Sequence, residues 1–284
     1  MKTITTAKAL RKYLAKHSTD KKIGLTPTMG NLHDGHLALV EAAMKRCEVV
    51  VASIFVNPTQ FGPNEDFASY PRTLEADSKI LNAAGVDVVF APSVDEVYPQ
   101  DPSGTPSQTV VSVSKLSQEL CGASRPGHFD GVTTVVTKLF NMVQPHVAFF
   151  GEKDWQQLAM IRIMTRELNM PIAIVGVPTA RDPDGLALSS RNQYLTDTER
   201  NKAPLLYQTL LDIRHAISNG ARNFKSLEQT GRMALQRAGF EPEYVEVRDA
   251  QTLARPHDAS TALRVLGAAE LGHARLIDNL DAKA

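Results

Sequence analysis

The chain has 284 residues, with 31 basic and 31 acidic side chains, 43% hydrophobic and 22% charged residues. This length and composition suit one large domain or two modest ones with a real core, and they exclude global disorder. Zero formal net charge provides no basic surplus for a nucleic-acid backbone, so no nucleic-acid partner is expected. Cys47 and Cys121 lie far apart without metal-ligand spacing, which rules out a disulfide framework. The first 22 residues lack the apolar core of a signal peptide, and no run approaches the roughly 20 apolar residues of a membrane span. A cytosolic protein with no membrane partner is expected.

Short apolar runs at residues 23–25, 49–56, 86–90, 146–150 and 172–177 read as buried strands, because β-branched runs without alternation suit a parallel sheet covered on both faces. Helical spacing falls between them at residues 37–46, 73–84, 132–143 and 157–168. Strands alternating with helices predict a doubly wound α/β sheet. Residues 100–125 are rich in Pro, Ser, Thr and Gly, with one short β pattern at 109–113, and read as an excursion near a site. Beyond Pro178 the texture changes. A long helical pattern spans residues 196–218, with Thr196 and Glu199 as a capping box. A second helix follows at 225–238, then strands at 244–247, 264–268 and 274–277. A first domain at residues 1–178 and a smaller C-terminal α+β domain at 179–284 are expected.

The densest chemical constellation is Pro27-Thr28-Met29-Gly30-Asn31-Leu32-His33-Asp34-Gly35-His36, between a strand and a helix. Ligands bind open α/β sheets outside the carboxyl ends of strands. A helix N-terminus offers N–H groups and a positive dipole end to phosphate, and glycines let backbone approach closely. His33 and His36 can donate hydrogen bonds as charge moves onto a leaving group; taken alone, two histidines three apart are also ordinary surface helix residues. A P-loop and a dinucleotide fingerprint are both missing. A second cluster, Gly151-Glu152-Lys153-Asp154-Trp155-Gln156-Gln157, closes another strand. Lys153 there can neutralise a phosphate, while Asp154 equally suits a helix N-cap. The third, Asp184 to Asn192, carries hydroxyls, amides and Arg191, enough for a phosphate clamp or simply for a polar linker. Asn57 and Gln60 are neutral amides after the second strand, suited to hydroxyl and carboxylate recognition or to an ordinary turn.

These blocks, in order with Tyr70-Pro71-Arg72-Thr73, Ser124-Arg125-Pro126-Gly127-His128-Phe129 and Leu276-Ile277-Asp278-Asn279, resemble the pantothenate synthetases (pantoate–β-alanine ligases) over nearly the whole chain. That family belongs to the nucleotidyltransferases with a His-x-Gly-His signature, here residues 33–36. The resemblance implies a Rossmann-like first domain, a smaller second domain and a homodimer. It implies condensation of pantoate with β-alanine at the expense of ATP, with Mg²⁺ as cofactor and an acyl adenylate as intermediate. By resemblance, Met29, Gly30, Asn31, Leu32, His33, Asp34, Gly35 and His36 line the ATP site, with His36 as proton donor. Gly151, Glu152, Lys153, Asp154, Leu188, Ser189, Ser190 and Arg191 also face ATP, and Ala180 lies near the adenine. His33, His36, Lys153 and Arg191 form the implied catalytic set. Gln60 and Gln157 would hold pantoate, and Gln60 also borders β-alanine. Leu188-Ser189-Ser190-Arg191 stands where related synthetases carry a lysine-rich loop, which shifts cationic duty to Lys153 and Arg191. Ala76 replaces an acidic residue of some relatives, leaving Asp77 as the candidate magnesium ligand. The same histidine apparatus also fits an adenylyltransferase acting on a phosphorylated acceptor, or a nucleotide-binding regulatory module.

Overall fold

The structure is a computed structural model that describes residues 1–17, 20–63, 65, 67–100, 108–257 and 260–283. The chain divides into two compact units. The first comprises Met1–Glu152 and Met160–Val177, and the second comprises Lys153–Ala159 and Pro178–Ala284. The second unit thus takes, besides the C-terminal part, a seven-residue segment that the sequence pattern places with the first.

In the first unit the order is β1 (Lys2–Ile4), α1 (Ala7–Leu14), β2 (Ile23–Thr28), α2 (Asp34–Met44), β3 (Val49–Ile54), α3 (Leu74–Ala83), β4 (Val88–Phe90), α4 (Val94–Val97), α5 (Cys121–Ser124), α6 (His128–Val143) and β5 (Val147–Gly151). Then α7 (Trp155–Glu167) leads into β6 (Ala173–Val177). The strands form one parallel sheet in the order β1-β4-β3-β2-β5-β6. The chain winds outward from β2 through β3 to β4, then returns beside β2 with β5 and β6, so the winding reverses at β2. The runs are continuous in apolar residues because both faces are covered: Val49 to Ala52 are all buried. Alternation along β5 sends Phe149 into the cluster with Leu39, Val40, Ala43 and Val50, while Phe150 meets Phe140 of α6.

The second unit continues with α8 (Asp197–Lys202), α9 (Leu205–Ser218) and α10 (Phe224–Arg237), then β7 (Glu241–Asp249), β8 (Ala262–Leu271) and β9 (Ala274–Lys283). The strands form an antiparallel sheet, β7-β8-β9. Leu206, Leu210 and Ile213 of α9 and Leu235 of α10 bury against Val245, Val247, Val265 and Leu276. No helix among the described residues is long and apolar enough to cross a membrane.

Three sequence expectations change. The β pattern at 109–113 finds no strand partner: the Val111 N–H donates to Thr134 Oγ1 at 2.9 Å and its carbonyl accepts from Thr133 Oγ1 at 2.5 Å. Side chains of α6 thus satisfy the backbone that a sheet would have satisfied. Of the surrounding excursion, residues 101–107 lie outside the described residues. The helical pattern at 196–218 is two helices, because Pro204 cannot donate into a continuing helix and sits instead as the N-cap of α9. The Thr196–Glu199 capping box is present at the start of α8. The third change is the presence of β1 and α1: β1 is only three residues long and largely exposed, and α1 buries Leu10 and Leu14, four apart on one face of a Lys-rich stretch.

Candidate active site

Three adjacent parallel strands, β3, β2 and β5, deliver the first unit's candidate residues at their carboxyl ends. The loop after β2 turns sharply: Gly30 has φ 83° and Asn31 φ 52°. A Cβ on Gly30 would sit 2.9 Å from Asp77 Oδ2 and 3.2 Å from Ile54 Cγ2, so the turn requires glycine on two counts.

The reason is Asp77, only 1% exposed in α3. One carboxylate oxygen accepts the N–H of Asn31 at 3.0 Å and the Thr73 hydroxyl at 3.0 Å; the other accepts the N–H of Leu32 at 2.9 Å. Thr28 Oγ1 accepts from the Gly30 N–H at 3.2 Å. A buried carboxylate needs compensation of this kind. Each of these three donors presents a positive hydrogen to Asp77, which makes the carboxylate an anion anchor for the loop. Among the described residues, no group of three or more His, Cys, Asp or Glu side chains could hold a metal. Asp77, the candidate magnesium ligand, serves as the loop's fastening.

His33 is the N-cap of α2. Its Nδ1 accepts from the Gly35 N–H at 3.1 Å, and Nδ1 of His36, three residues into the helix, accepts from the His33 N–H at 3.3 Å. This is a capping box made from two imidazoles. With each Nδ1 accepting, a neutral ring carries its proton on Nε2, and both histidines are Nε2–H donors. Their ring centroids are 4.2 Å apart. The expectation that backbone N–H groups would cradle a phosphate changes accordingly. The N–H groups of residues 30, 31, 32, 33 and 35 go to side chains of Thr28, Asp77, His36 and His33, and that of His36 goes to the His33 carbonyl at 2.8 Å.

After β3, Asn57 is 1% exposed. Its Nδ2 donates to Gln60 Oε1 and to the Gly131 carbonyl, both at 3.1 Å, while its Oδ1 accepts from the Tyr98 hydroxyl at 2.8 Å and from Thr59 Oγ1 at 3.0 Å. Burial raises the Tyr98 phenol above its ordinary value despite its partners Thr59 and Asn57, so it stays protonated and donates. Gln60 is thereby oriented, with Oε1 on Asn57 and Nε2 donating to Met29 Sδ at 3.0 Å. A Cβ on Gly131 would overlap the Thr59 carbonyl, so α6 passes hard against this turn. His128 Nδ1 lies 2.7 Å from the Gln60 carbonyl and Nε2 2.9 Å from Arg125. Arg125 can only donate, so His128 accepts at Nε2 and donates from Nδ1, the opposite tautomer to that of His33 and His36. Arg125 pairs with both oxygens of Glu65 at 2.8 and 2.5 Å. Burial raises Glu65, but the Arg125 hydrogen bonds and charge outweigh it, with help from His128 and the Gly62 N–H, and hold the carboxyl below its ordinary value. Gly151 ends β5, and Glu152 opens the short 3-10 turn that follows.

In the second unit, Lys153 and Asp154 complete that turn, with Lys153 Nζ 3.9 Å from the Asp154 carboxylate; Gln157 is half-buried in the first turns of α7. Residues 180–188 fold into a tight hairpin: the Leu188 N–H donates to the Ala180 carbonyl and that of Asp182 to the Leu186 carbonyl, both at 2.9 Å. Gly185, at φ 96°, makes the turn. Ser189 then caps a 3-10 helix, Ser190–Tyr194, by accepting the Arg191 N–H at 3.2 Å. Arg200 fixes the hairpin's outer edge through Asp182 at 2.9 Å and Asp184 at 2.6 Å.

The structure therefore brings residues 29–36, Gln60 and Asp77 together in the first unit, and Gly151 and Glu152 follow the neighbouring strand β5. Lys153, Asp154, Gln157, Ala180 and Leu188 to Arg191 belong to the second. The parts played by Thr73, Tyr98, Arg125 and His128 are not legible in the sequence. Two of the blocks behind the resemblance contain Thr73, Arg125 and His128, but nothing local says what they touch.

A family model described as pantoate-beta-alanine ligase matches residues 2–281. The chain is 57% identical over 282 residues to a pantothenate synthetase of Pseudomonas savastanoi pv. phaseolicola, covering 99% of this chain and 98% of that one. It is 56% identical to that of Azotobacter vinelandii, covering 99% and 98%. Among solved structures, pantothenate synthetase from Thermus thermophilus superposes with a TM-score of 0.91 at 47% identity, covering 99% of each chain. The pantoate-beta-alanine ligase of Francisella tularensis, complexed with beta-gamma ATP and beta-alanine, gives 0.81 at 34% identity, covering 99% and 97%. The chain belongs to the pantoate–β-alanine ligase family.

Proposed function

We propose that this chain joins pantoate to β-alanine at the expense of ATP, through a pantoyl adenylate, releasing AMP and pyrophosphate. The reciprocal imidazole cap carries this reading: it makes Nε2–H donors of His33 and His36 at the carboxyl edge of the central strands, where an α/β sheet takes its ligand. The pantoate carboxylate attacks the α-phosphorus of ATP, and pyrophosphate leaves. His33 and His36, with Lys153 and Arg191, offset the charge developing on the phosphate oxygens. The neutral amine of β-alanine then attacks the activated carbonyl and expels AMP. A free carboxylate is a poor electrophile, which is why adenylation comes first.

In this reading Met29 to His36, Gly151 to Asp154 and Leu188 to Arg191 bind ATP, with Ala180 at the adenine. Gln60 and Gln157 hold pantoate, and Gln60 borders β-alanine. The amide orientation that Asn57 imposes on Gln60 supports that role. Magnesium, entering with the nucleotide, would be held mainly by the phosphates and would supply further charge neutralisation, with Asp77 as the candidate side-chain ligand. The homodimer and the cytosolic location come with the family resemblance, and sedimentation checks the first.

The test is to supply ATP, magnesium, pantoate and β-alanine, omit each in turn, and measure pyrophosphate, AMP and amide. Pyrophosphate without β-alanine, and amide with AMP only when all are present, is the expected result. A stable nucleotide conjugate formed with no amine requirement would replace this reading with an adenylyltransferase.

A further inference from the structure

Strand β9 carries two adjacent polar residues in its middle, Asp278 and Asn279, which are only 4% and 3% exposed. Neighbours along a strand face opposite sides of the sheet, so the pair reaches two different places. Buried polar groups there would cost stability unless satisfied, and both are.

On one side, Asn279 Nδ2 donates to the Lys153 carbonyl at 2.8 Å. Its Oδ1 accepts from Arg264 Nε at 2.6 Å. Arg264, on β8, is paired in register with Asp281, two residues on from Asn279 and on the same face. Its guanidinium lies over the Trp155 ring, 3.6 Å from the centroid, and Trp155 Nε1 donates to the Ala250 carbonyl at 3.2 Å. The segment is thus gripped at residue 153 by its carbonyl and at residue 155 by its ring.

On the other side, Asp278 takes both arms of Arg181, at 2.6 and 2.8 Å. Arg181 also donates to the Gly185 carbonyl at 3.0 Å and lies over the Tyr207 ring, 4.0 Å from its centroid. Asp278 thereby fixes hairpin 180–188, which leads directly into Ser189 to Arg191. Lys153, Ala187, Ser189, Asn192, Tyr207 and Asp278 line one small pocket.

We propose that Asp278 and Asn279 are positioning residues for the adenylation step: together they set where Lys153 stands relative to hairpin 180–188 and the Ser189–Arg191 turn. The proposal rests on the reading that Lys153 and Arg191 act on the phosphates. Displacement of a reacting group by about 1 Å costs on the order of 10²-fold in rate, so the spacing matters more than the bonds' contribution to folding.

The test uses the full chain and single-turnover pyrophosphate release from ATP and pantoate. Asn279→Asp keeps the shape and the acceptor for Arg264 but replaces the donor to the Lys153 carbonyl with an oxygen. It should slow release on the order of 10²-fold. Asp278→Asn should raise the KM for ATP about tenfold with a smaller change in kcat, because it loosens the hairpin while the Asn279 bond to the Lys153 carbonyl remains. It is the second arm if Asn279→Asp does not accumulate folded. Thr196→Ala, which weakens α8 in the same unit, is the control for stability alone, with all rates taken well below every melting point. Lys153→Ala separates the two readings. If it releases pyrophosphate at the wild-type rate, the role of Lys153 and this proposal both fall. If it is slow while Asn279→Asp and Asp278→Asn behave like Thr196→Ala, the positioning proposal alone is overturned.

Discussion

In the first unit a buried carboxylate gathers the N–H groups of the loop that carries the histidines; in the second a buried amide takes hold of a carbonyl beside the lysine. Asp77 accepts from Asn31, Leu32 and Thr73, whereas Asn279 donates to Lys153 and accepts from Arg264. The difference follows from what each segment has to spare. A loop entering a helix has orphan N–H groups and calls for an anion. A turn leaving a strand exposes a carbonyl, and only a group with both a donor and an acceptor can tie it to an arginine. In both places a buried polar side chain distant in sequence anchors the backbone.

The comparison can be broken most directly at His36. His36→Ala should lower kcat on the order of 10²-fold or more by removing a charge-stabilising donor, with the fold retained by circular dichroism. Near-normal turnover would mean that the imidazoles serve only as the helix cap. Next is Asp77→Ala, which leaves the Asn31 and Leu32 N–H groups without their acceptor. Orphaned buried donors cost about 1–3 kcal/mol, so a clear fall in denaturant midpoint is expected, with slower turnover. Asp77→Asn should lose less, since one carbonyl oxygen still accepts; equal losses would deny that the loop depends on a two-oxygen anchor. Thr196→Ala should cost about 1 kcal/mol, the usual value of an N-cap, with turnover unchanged. This gives the second unit a measure of ordinary local stability.

The smallest effect is expected at Glu65. Its carboxyl is held below its ordinary value in the fold, so the folded state favours the ionised form. The stabilisation is present above the unfolded value, about 4.3 for glutamate, and is lost as pH falls through the folded one. The melting-point gap between wild type and Glu65→Gln, open at pH 7, should close on acidification below about pH 4. A gap that widened instead would contradict the Arg125 pairing.

What can be read from the chain alone is what is local. His33 and His36 cap a helix three residues apart, and Thr196 caps Glu199 over the same distance. Strand runs in the first unit are legible because burial on both faces leaves an unbroken apolar signature. The anchors are not: Asp77 lies 46 residues from Asn31, and Asn279 lies 126 from Lys153, and no periodicity links them. The segment at 109–113 misleads for a related reason. Its β-branched pattern is real, but the partners for its backbone are the threonine hydroxyls of α6. Composition also hides the division of Lys153–Ala159 from its sequence neighbours, since that depends on which unit the residues touch.

Strand β9 keeps its ten-residue pairing with β8 without a bulge, from Ala262↔Lys283 to Leu271↔Ala274. A strand's two faces exchange when its alignment moves by one position. Removal of a single residue early in β9 would hand Arg181 an amide in place of its carboxylate and offer the Lys153 carbonyl a leucine, Leu280. The β8–β9 alignment thus acts as a ruler that sets which side chain meets Arg181 and which meets the Lys153 carbonyl; under the proposed reading, loss of one unit on that ruler would slow adenylation without removing any residue assigned to substrate.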